Sequence, residues 1–157
     1  LASSEGTNRD MEGVLAGGCQ CGAVRYAFNG PIPPAYACHC GECKKQSASA
    51  FSMSIPLTYD ALTVTGTPNV FETTAFSGNR KYNYFCGDCG TRLWHSGTNP
   101  PTAITLKVGT LDHSVDIVPV GHLWVSKKQA GIMLDPDTDQ HQTQPDDVLV
   151  WRNNLGQ

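Results

Sequence analysis

The stretch Cys38-His39-Cys40-Gly41-Glu42-Cys43 places three thiols within six residues, the first two separated by one residue and the third by two more. A chain that curls back on itself can aim three such sulfurs at one centre. Zinc takes sulfur ligands at about 2.3 Å in a tetrahedron, so three thiolates fill three corners. No fourth cysteine lies nearby in the sequence. The remaining corner is then free for water or a substrate, which is what distinguishes catalytic zinc sites from structural ones. The competing readings are a loop of buried cysteines, or a structural site completed by a distant ligand. An open metal site at Cys38, Cys40 and Cys43 is the expectation carried forward.

The other four cysteines form two pairs, Cys19-x-Cys21 and Cys86-x-x-Cys89, each half of a four-sulfur site. Pairs far apart in sequence commonly share one zinc, and four thiolates close the shell, so a joint site would be structural. It would pin the start of the chain to its middle and contribute folding free energy directly. Two other arrangements stay open. Cys86-x-x-Cys89 could be a redox dithiol, although no βαβ pattern surrounds it. Cys19 and Cys21 could join the central loop, which would strand Cys86 and Cys89. Among the histidines, His39 lies between two expected ligands and is expected to point away from them. His95 and His122 read as packed or surface residues beside tryptophans, and His113 and His141 as loop residues. Ser126-Lys127-Lys128 is a weak anion-site signal. Neither a phosphate-binding loop nor a G-x-S-x-G elbow is present.

The elements that must position these groups are short. Val24, Tyr26 and Phe28 alternate with Arg25 and Ala27, the pattern of a half-buried strand. Gly30-Pro31-Ile32-Pro33-Pro34 ends it, and Tyr36 and Ala37 lead into the three-cysteine loop. Residues 44–50 predict about two turns of helix. Residues 51–57, 62–65, 70–76 and 81–85 are rich in β-branched and aromatic residues and are punctuated by Gly66, Pro68, Asn69 and Ser77-Gly78-Asn79. Residues 103–108, 115–120 and 123–125 read as further strands. The acidic stretch from Asp135 reads as loop, until Val148-Leu149-Val150-Trp151 is expected to dock as a last strand. Seven to nine short strands with almost no helix predict an all-β fold, mainly antiparallel.

At 157 residues the chain suits one domain with a real core. Sixteen glycines, ten prolines and only 16% charged residues favour turns and strands over long helices. The formal net charge of -3 argues against a nucleic-acid surface. Seven cysteines are an odd number, unlike a secreted disulfide framework, and point to metal ligation in a reducing, cytoplasmic setting. The sequence holds no apolar run of about 18 residues, so no membrane span is expected. Residues 1–10 are polar and do not begin with Met; they are expected to be a disordered tail or an expression remnant, with Met11 a native start and residues 11–157 a single zinc-binding domain.

Gly17-Gly18-Cys19-x-Cys21-Gly22-Ala23-Val24-Arg25-Tyr26, then Cys38-His39-Cys40-x-x-Cys43, then Phe85-Cys86-x-x-Cys89-Gly90, resembles the glutathione-dependent formaldehyde-activating enzyme family, which also includes centromere protein V. The resemblance covers about residues 13 to 125. It implies the β-tent fold and two zinc ions per chain, a structural one on Cys19, Cys21, Cys86 and Cys89 and a catalytic one on Cys38, Cys40 and Cys43. His122-x-Trp124 with Ser126-Lys127 is similar to the family's late histidine segment, but Gln129-Ala130-Gly131 stands where the family often continues with Pro-Trp. The activity implied is that of a carbon–sulfur lyase interconverting S-(hydroxymethyl)glutathione with glutathione and formaldehyde. The partner is then a small thiol adduct, with no nucleic acid and no membrane. Two alternatives accompany it. One is a non-catalytic zinc-binding interaction module, as the centromere relative suggests; the other is a lyase or isomerase acting on a different small electrophile. Glu42 is the carboxylate nearest the loop and the one to test as an acid or base.

Overall fold

The alternation of Val24, Tyr26 and Phe28 becomes a strand whose buried side chains sit on one face, Arg25–Asn29 (β2), paired antiparallel with Val14–Gly18 (β1). The computed structural model describes residues 13–157, so the expectations for residues 1–10 and Met11 lie outside the described residues. Ala35–Cys38 (β3) runs into a short helix, Gly41–Ser47 (α1). Then follow Ser52–Thr58 (β4), Thr63–Thr65 (β5), Asn69–Thr74 (β6), Arg80–Phe85 (β7), Arg92–Ser96 (β8), Ala103–Lys107 (β9), Pro119–Leu123 (β10) and Asp139–Gln140 (β11). A second short helix, Val148–Asn153 (α2), closes the order.

The strands form a three-stranded sheet, β1-β2-β5, and an eight-stranded sheet in the order β11-β10-β3-β4-β9-β8-β7-β6. All pairs are antiparallel except β10, which runs parallel to both β3 and β11. The expected all-β class is what forms, with eleven strands among the described residues where seven to nine were expected.

Register separates the large sheet into two unlike faces. Trp94 stands opposite Tyr84 and Leu106, and this face packs with Tyr26, Phe28 and Val24 into the main core. On the other face Asn83, His95 and Thr105 stand in a row across β7, β8 and β9, with Lys107 opposite Ser54. Trp94 is fully buried, stacked on Tyr84 at 5.8 Å and edge-on to Tyr26 at 6.2 Å. Trp94→Ala should therefore lower the unfolding free energy by about 3–5 kcal/mol, read as a shift of the denaturation midpoint. Trp94→Phe, which refills most of the volume, should cost distinctly less; an equal cost for both would show that packing is not what Trp94 provides.

Several segments differ from expectation. Val148–Trp151 is helix rather than strand, because Asp147 caps it by accepting from the Val150 amide at 3.0 Å. One helical turn then stacks Trp151 and Leu155 on Gly121 of β10. A Cβ there would lie 2.6 Å from the Trp151 ring, so only glycine admits the helix. Residues 115–118 are not strand: Val115 and Val118 are exposed, and pairing starts only at Pro119. Residues 123–125 split between the end of β10 and a turn of 3₁₀ helix, Val125–Lys127. Helix α1 starts three residues earlier than expected, because Cys40 acts as its N-cap. Tyr36-Ala37 and Leu93-Trp94-His95, to which the sequence assigned no strand, lie in β3 and β8.

Candidate metal centres and neighbouring cavities

Each cysteine pair near the chain's first and middle thirds sits on a tight turn. Cys19 to Val24 is closed by the Cys19 amide donating to the Val24 carbonyl at 2.9 Å, and Cys86 to Thr91 by the equivalent bond at 2.9 Å. Gly22 and Gly90, each directly after the second cysteine of its pair, have φ of 83° and 77°, which L side chains rarely adopt. The two turns face each other. Cys19 and Cys21 sulfurs are 3.6 Å apart and Cys21 and Cys86 sulfurs 3.7 Å apart, and all four sulfurs, Cys89 included, lie within 4.8 Å of one another. Four sulfurs at 2.3 Å from a tetrahedral centre are separated by about 3.8 Å, so the group fits zinc.

Thr91, which sequence reasoning passed over, links the turns. Its hydroxyl oxygen accepts from the Gln20 amide at 3.1 Å and lies 3.2 Å from the Cys89 sulfur. Bonds from the Thr91 hydroxyl, then its amide, hold the Cys89 thiol down at about 5. The Val24 amide points at the Cys19 sulfur at 3.2 Å. Such N–H and O–H donors favour thiolate over thiol, the form a metal requires.

Cys38, Cys40 and Cys43 form the second group, again with sulfurs within 4.8 Å of one another. Cys38 ends β3, Cys40 caps α1, and Cys43 lies in its first turn, its amide 3.4 Å from the Cys40 sulfur. Contacts from Cys38, then Cys43, pull the Cys40 thiol down to about 2, while Cys40, then Cys43, push Cys38 up. The three thiols thus titrate as one coupled group, and a cation is needed for all of them to be thiolates together. Cysteine-only ligand sets suit zinc among the common divalent ions. No fourth ligand from a described residue joins these three.

His39 joins neither sulfur group. Its buried ring packs 5.3 Å from Phe51, and its Nε2 is 3.1 Å from Nδ1 of His122, across the parallel pair β3–β10. Burial, then the His122 ring, lowers His39 to about 4, and burial lowers His122 as well, so the pair is neutral at pH 7. The pairing was not legible because 83 residues separate the two. His95 lies on the polar sheet face, and burial holds it well below the usual imidazole range. His113 is exposed; His141 sits beside Trp151 and 3.4 Å from Asp139. Ser126 and Lys128 do not present an anion site: the Ser126 hydroxyl donates to the Gln142 carbonyl and the Lys128 amine to the Ile132 carbonyl. Glu42 is exposed at the start of α1 and lines a cavity of about 130 Å³ between that helix and β6–β7.

A larger cavity of about 550 Å³ lies between the end of α1 and the Cys86–Thr91 turn. Cys89 is on its wall, as are Arg92, Lys107 and the α1 residues Gln46 and Ser47. It is open to solvent and wide enough for a small peptide-sized ligand.

The model of the family described as glutathione-dependent formaldehyde-activating enzyme matches residues 14–127. The chain belongs to this family. The match takes in all seven cysteines, β1 to β10 and His122, and leaves β11 and α2 outside. No curated protein matches the chain. A crystal structure of a Rhodobacter sphaeroides protein, determined by structural genomics, is similar at 22% identity over 62% of this chain and 87% of that one, with a TM-score of 0.47. Family membership and the two sulfur groups together describe a metal-binding protein of the formaldehyde-activating type. Among the described residues no helix is long and apolar enough to cross a membrane.

Proposed function

We propose that this chain is a zinc-dependent carbon–sulfur lyase acting on the adduct of a small thiol with formaldehyde, S-(hydroxymethyl)glutathione being the type substrate. The observation that carries the reading is the contrast between the two sulfur groups: four sulfurs at tetrahedral spacing in one, and three with no fourth protein ligand in the other. In this reading Cys19, Cys21, Cys86 and Cys89 hold a structural zinc, and Cys38, Cys40 and Cys43 hold a second, catalytic one. Membership of a family described as glutathione-dependent and formaldehyde-activating supports a glutathione-dependent reaction of formaldehyde.

Zinc bound by three thiolates would supply a place for a substrate sulfur as thiolate at neutral pH, where a free thiol of pKa about 8.5 is mostly protonated. Three thiolates around a divalent ion leave a net negative charge, which suits holding sulfur better than polarising a carbonyl. The chain's part is positional. Cys38 is fixed by the pairing of β3 with β4 and β10, and Cys40 and Cys43 by the first turn of α1. In the cleavage direction the adduct's hydroxyl gives up its proton, its C–O bond becomes the carbonyl of formaldehyde, and the electron pair of the C–S bond stays on sulfur. The reverse sequence forms the adduct. Glu42 is exposed and no hydrogen bond ties its side chain to the sulfur group, so Glu42→Gln is expected to change the rate little.

Cobalt in place of zinc tests the reading directly. Glutathione should strengthen the sulfur-to-metal charge-transfer band at neutral pH, because a fourth thiolate enters the coordination sphere. S-methylglutathione, whose sulfur cannot become a thiolate, should leave the band unchanged. If no thiol alters the spectrum while both sites are loaded, the lyase reading fails.

A further inference from the structure

Strand β3 ends at Cys38 and helix α1 begins at Gly41, so His39 and Cys40 form a two-residue link that neither element holds. Two of the three sulfurs flank this link, and His39 within it is wholly buried. Two bonds tie His39 to β10. Its amide donates to the Leu123 carbonyl at 2.9 Å, which extends the parallel ladder that sets Ala37 beside His122 and Cys38 beside Leu123. Its ring Nε2 lies 3.1 Å from Nδ1 of His122, a residue only 5% exposed. His122 is itself held from the other flank, where its carbonyl accepts from the His141 amide at 2.9 Å.

The direction of the ring-to-ring bond follows from what each choice leaves over. Nδ1 of His39 is buried and has no partner. If His122 donated, His39 would accept at Nε2 and carry its own proton on that Nδ1, an N–H stranded away from water. With the proton on Nε2, His39 donates to His122 and only a lone pair is left without a partner. His122 accepts at Nδ1 and keeps its proton on Nε2. Two apolar side chains of similar size would fill the same space with no polar atom to satisfy. What the bond adds to packing is a fixed orientation of the His39 ring, and with it of the backbone between Cys38 and Cys40.

We propose that His122 is a positioning residue for the three-sulfur group: by accepting from His39 it fixes the link between β3 and α1, and so the placing of the Cys38 sulfur against those of Cys40 and Cys43. The proposal rests on the reading of these cysteines as a metal site and adds the residue that pre-organises it. Neither histidine is a ligand, since neither belongs to a sulfur group. Their place is behind the ligands. Groups that orient ligands from there are commonly worth roughly tenfold to a hundredfold in metal affinity. The brace is built on a strand pair rather than on a loop, which is what holding three sulfurs to a fixed geometry requires.

Two measurements test it. Nitrogen-15 NMR of the zinc-loaded protein should place the ring protons of both histidines on Nε2, with a coupling through the hydrogen bond from Nε2 of His39 to Nδ1 of His122. A proton on Nδ1 of His39, or no coupling between the rings, overturns the proposal, and no variant is needed to see it. The second measurement is chelator competition for the zinc of the three-sulfur group. His39→Leu and His122→Leu should each weaken its binding roughly tenfold to a hundredfold. The zinc of the four-sulfur group should stay as firmly held as in the parent, which shows that the fold survives. Amide side chains then separate bonding from packing. The glutamine nitrogen reaches where Nε2 stood and the asparagine oxygen where Nδ1 stood, so His39→Gln and His122→Asn should keep most of the affinity. His39→Asn and His122→Gln displace the polar atom and should not. Unchanged affinity in the Leu variants, equal affinity in all four amide variants, or equal weakening of both zinc ions would each assign the pair to packing and overturn the proposal. A parent protein that binds one zinc sinks the site reading and the brace with it, whereas two zinc ions with an unmoved affinity sink the brace alone.

Discussion

Cys86→Ser should leave little folded protein, whereas Cys43→Ser should keep the fold and remove turnover. Cys86 is almost fully buried, and its sulfur lies 3.7 Å from that of Cys21, 65 residues away in sequence. The four-sulfur group therefore ties the β1–β2 turn of the small sheet to the β7–β8 turn of the large one. A structural zinc contributes on the order of 10 kcal/mol to the folded state, comparable to the whole stability of a domain this size. Replacing one thiolate by a hydroxyl, a poor zinc ligand, removes much of that. Cys43 differs in kind, because its two partners lie within the same six residues. Losing it opens a local loop, while the strand pairs on either side of Cys38 remain. Thermal melts by circular dichroism, run beside rate measurements on both variants, give the answer. A Cys43→Ser protein that melts as badly as Cys86→Ser would refute the division of roles.

Metal should leave in two stages. Protein purified without chelator should contain two zinc ions per chain by elemental analysis. A chelator titration should remove the first at low strength with the far-ultraviolet spectrum unchanged, and the second only together with unfolding. The reason is ligand count and reach: three thiolates hold less firmly than four, and only the four-sulfur group joins distant segments. The expected contrast in chelator concentration is several orders of magnitude, since one extra thiolate and the coupled folding both favour the closed site. A reproducible content of one zinc would mean that the three-sulfur group is empty. Simultaneous loss of both ions with unfolding would mean that the two groups are not separable.

The sulfur groupings were readable because the information is local. C-x-C, C-x-x-C and the glycines after Cys21 and Cys89 encode the tight turns, and the fold brings the two outer pairs together. The strand of Val24, Tyr26 and Phe28 was readable for the same reason, since one face is buried and the other not. Val148–Trp151 misled because an apolar run of four residues suits a strand or a helix equally. What decides between them is Asp147 and the distant Gly121, and of these only the first is near in sequence. The cationic face was illegible for a deeper reason. Lys107 ends an apolar strand and Arg92 opens one, positions where sequence reasoning expects solvent, and only the fold places them on one cavity wall with Gln46 and Ser47 of α1. His39 was expected to turn from the metal loop; its partner across the parallel pair could not be foreseen, since nothing in the spacing announces that β3 and β10 lie side by side.

Helix α2 lies beyond residue 127, where the family match ends, yet it reaches into the middle of the polar face. Its Arg152 donates to the Thr105 hydroxyl at 3.0 Å and points at the Tyr36 hydroxyl at 3.5 Å, while Trp151 and Leu155 clamp it to Gly121. The segment contributes no cysteine. The molecule is thus built as a chassis and a cover packed onto it. The chassis carries every sulfur and both sheets' main pairings, and changes there put the metals at risk. The cover rests on one edge of the large sheet and alters the charge and shape beneath it. Leu155 and Trp151 share a core cluster with Cys38, Cys40 and Cys43, so exchanging residues 128–157 changes the packing around the three-sulfur group while adding or removing no sulfur, and chimeras joined near residue 127 are the natural way to use it.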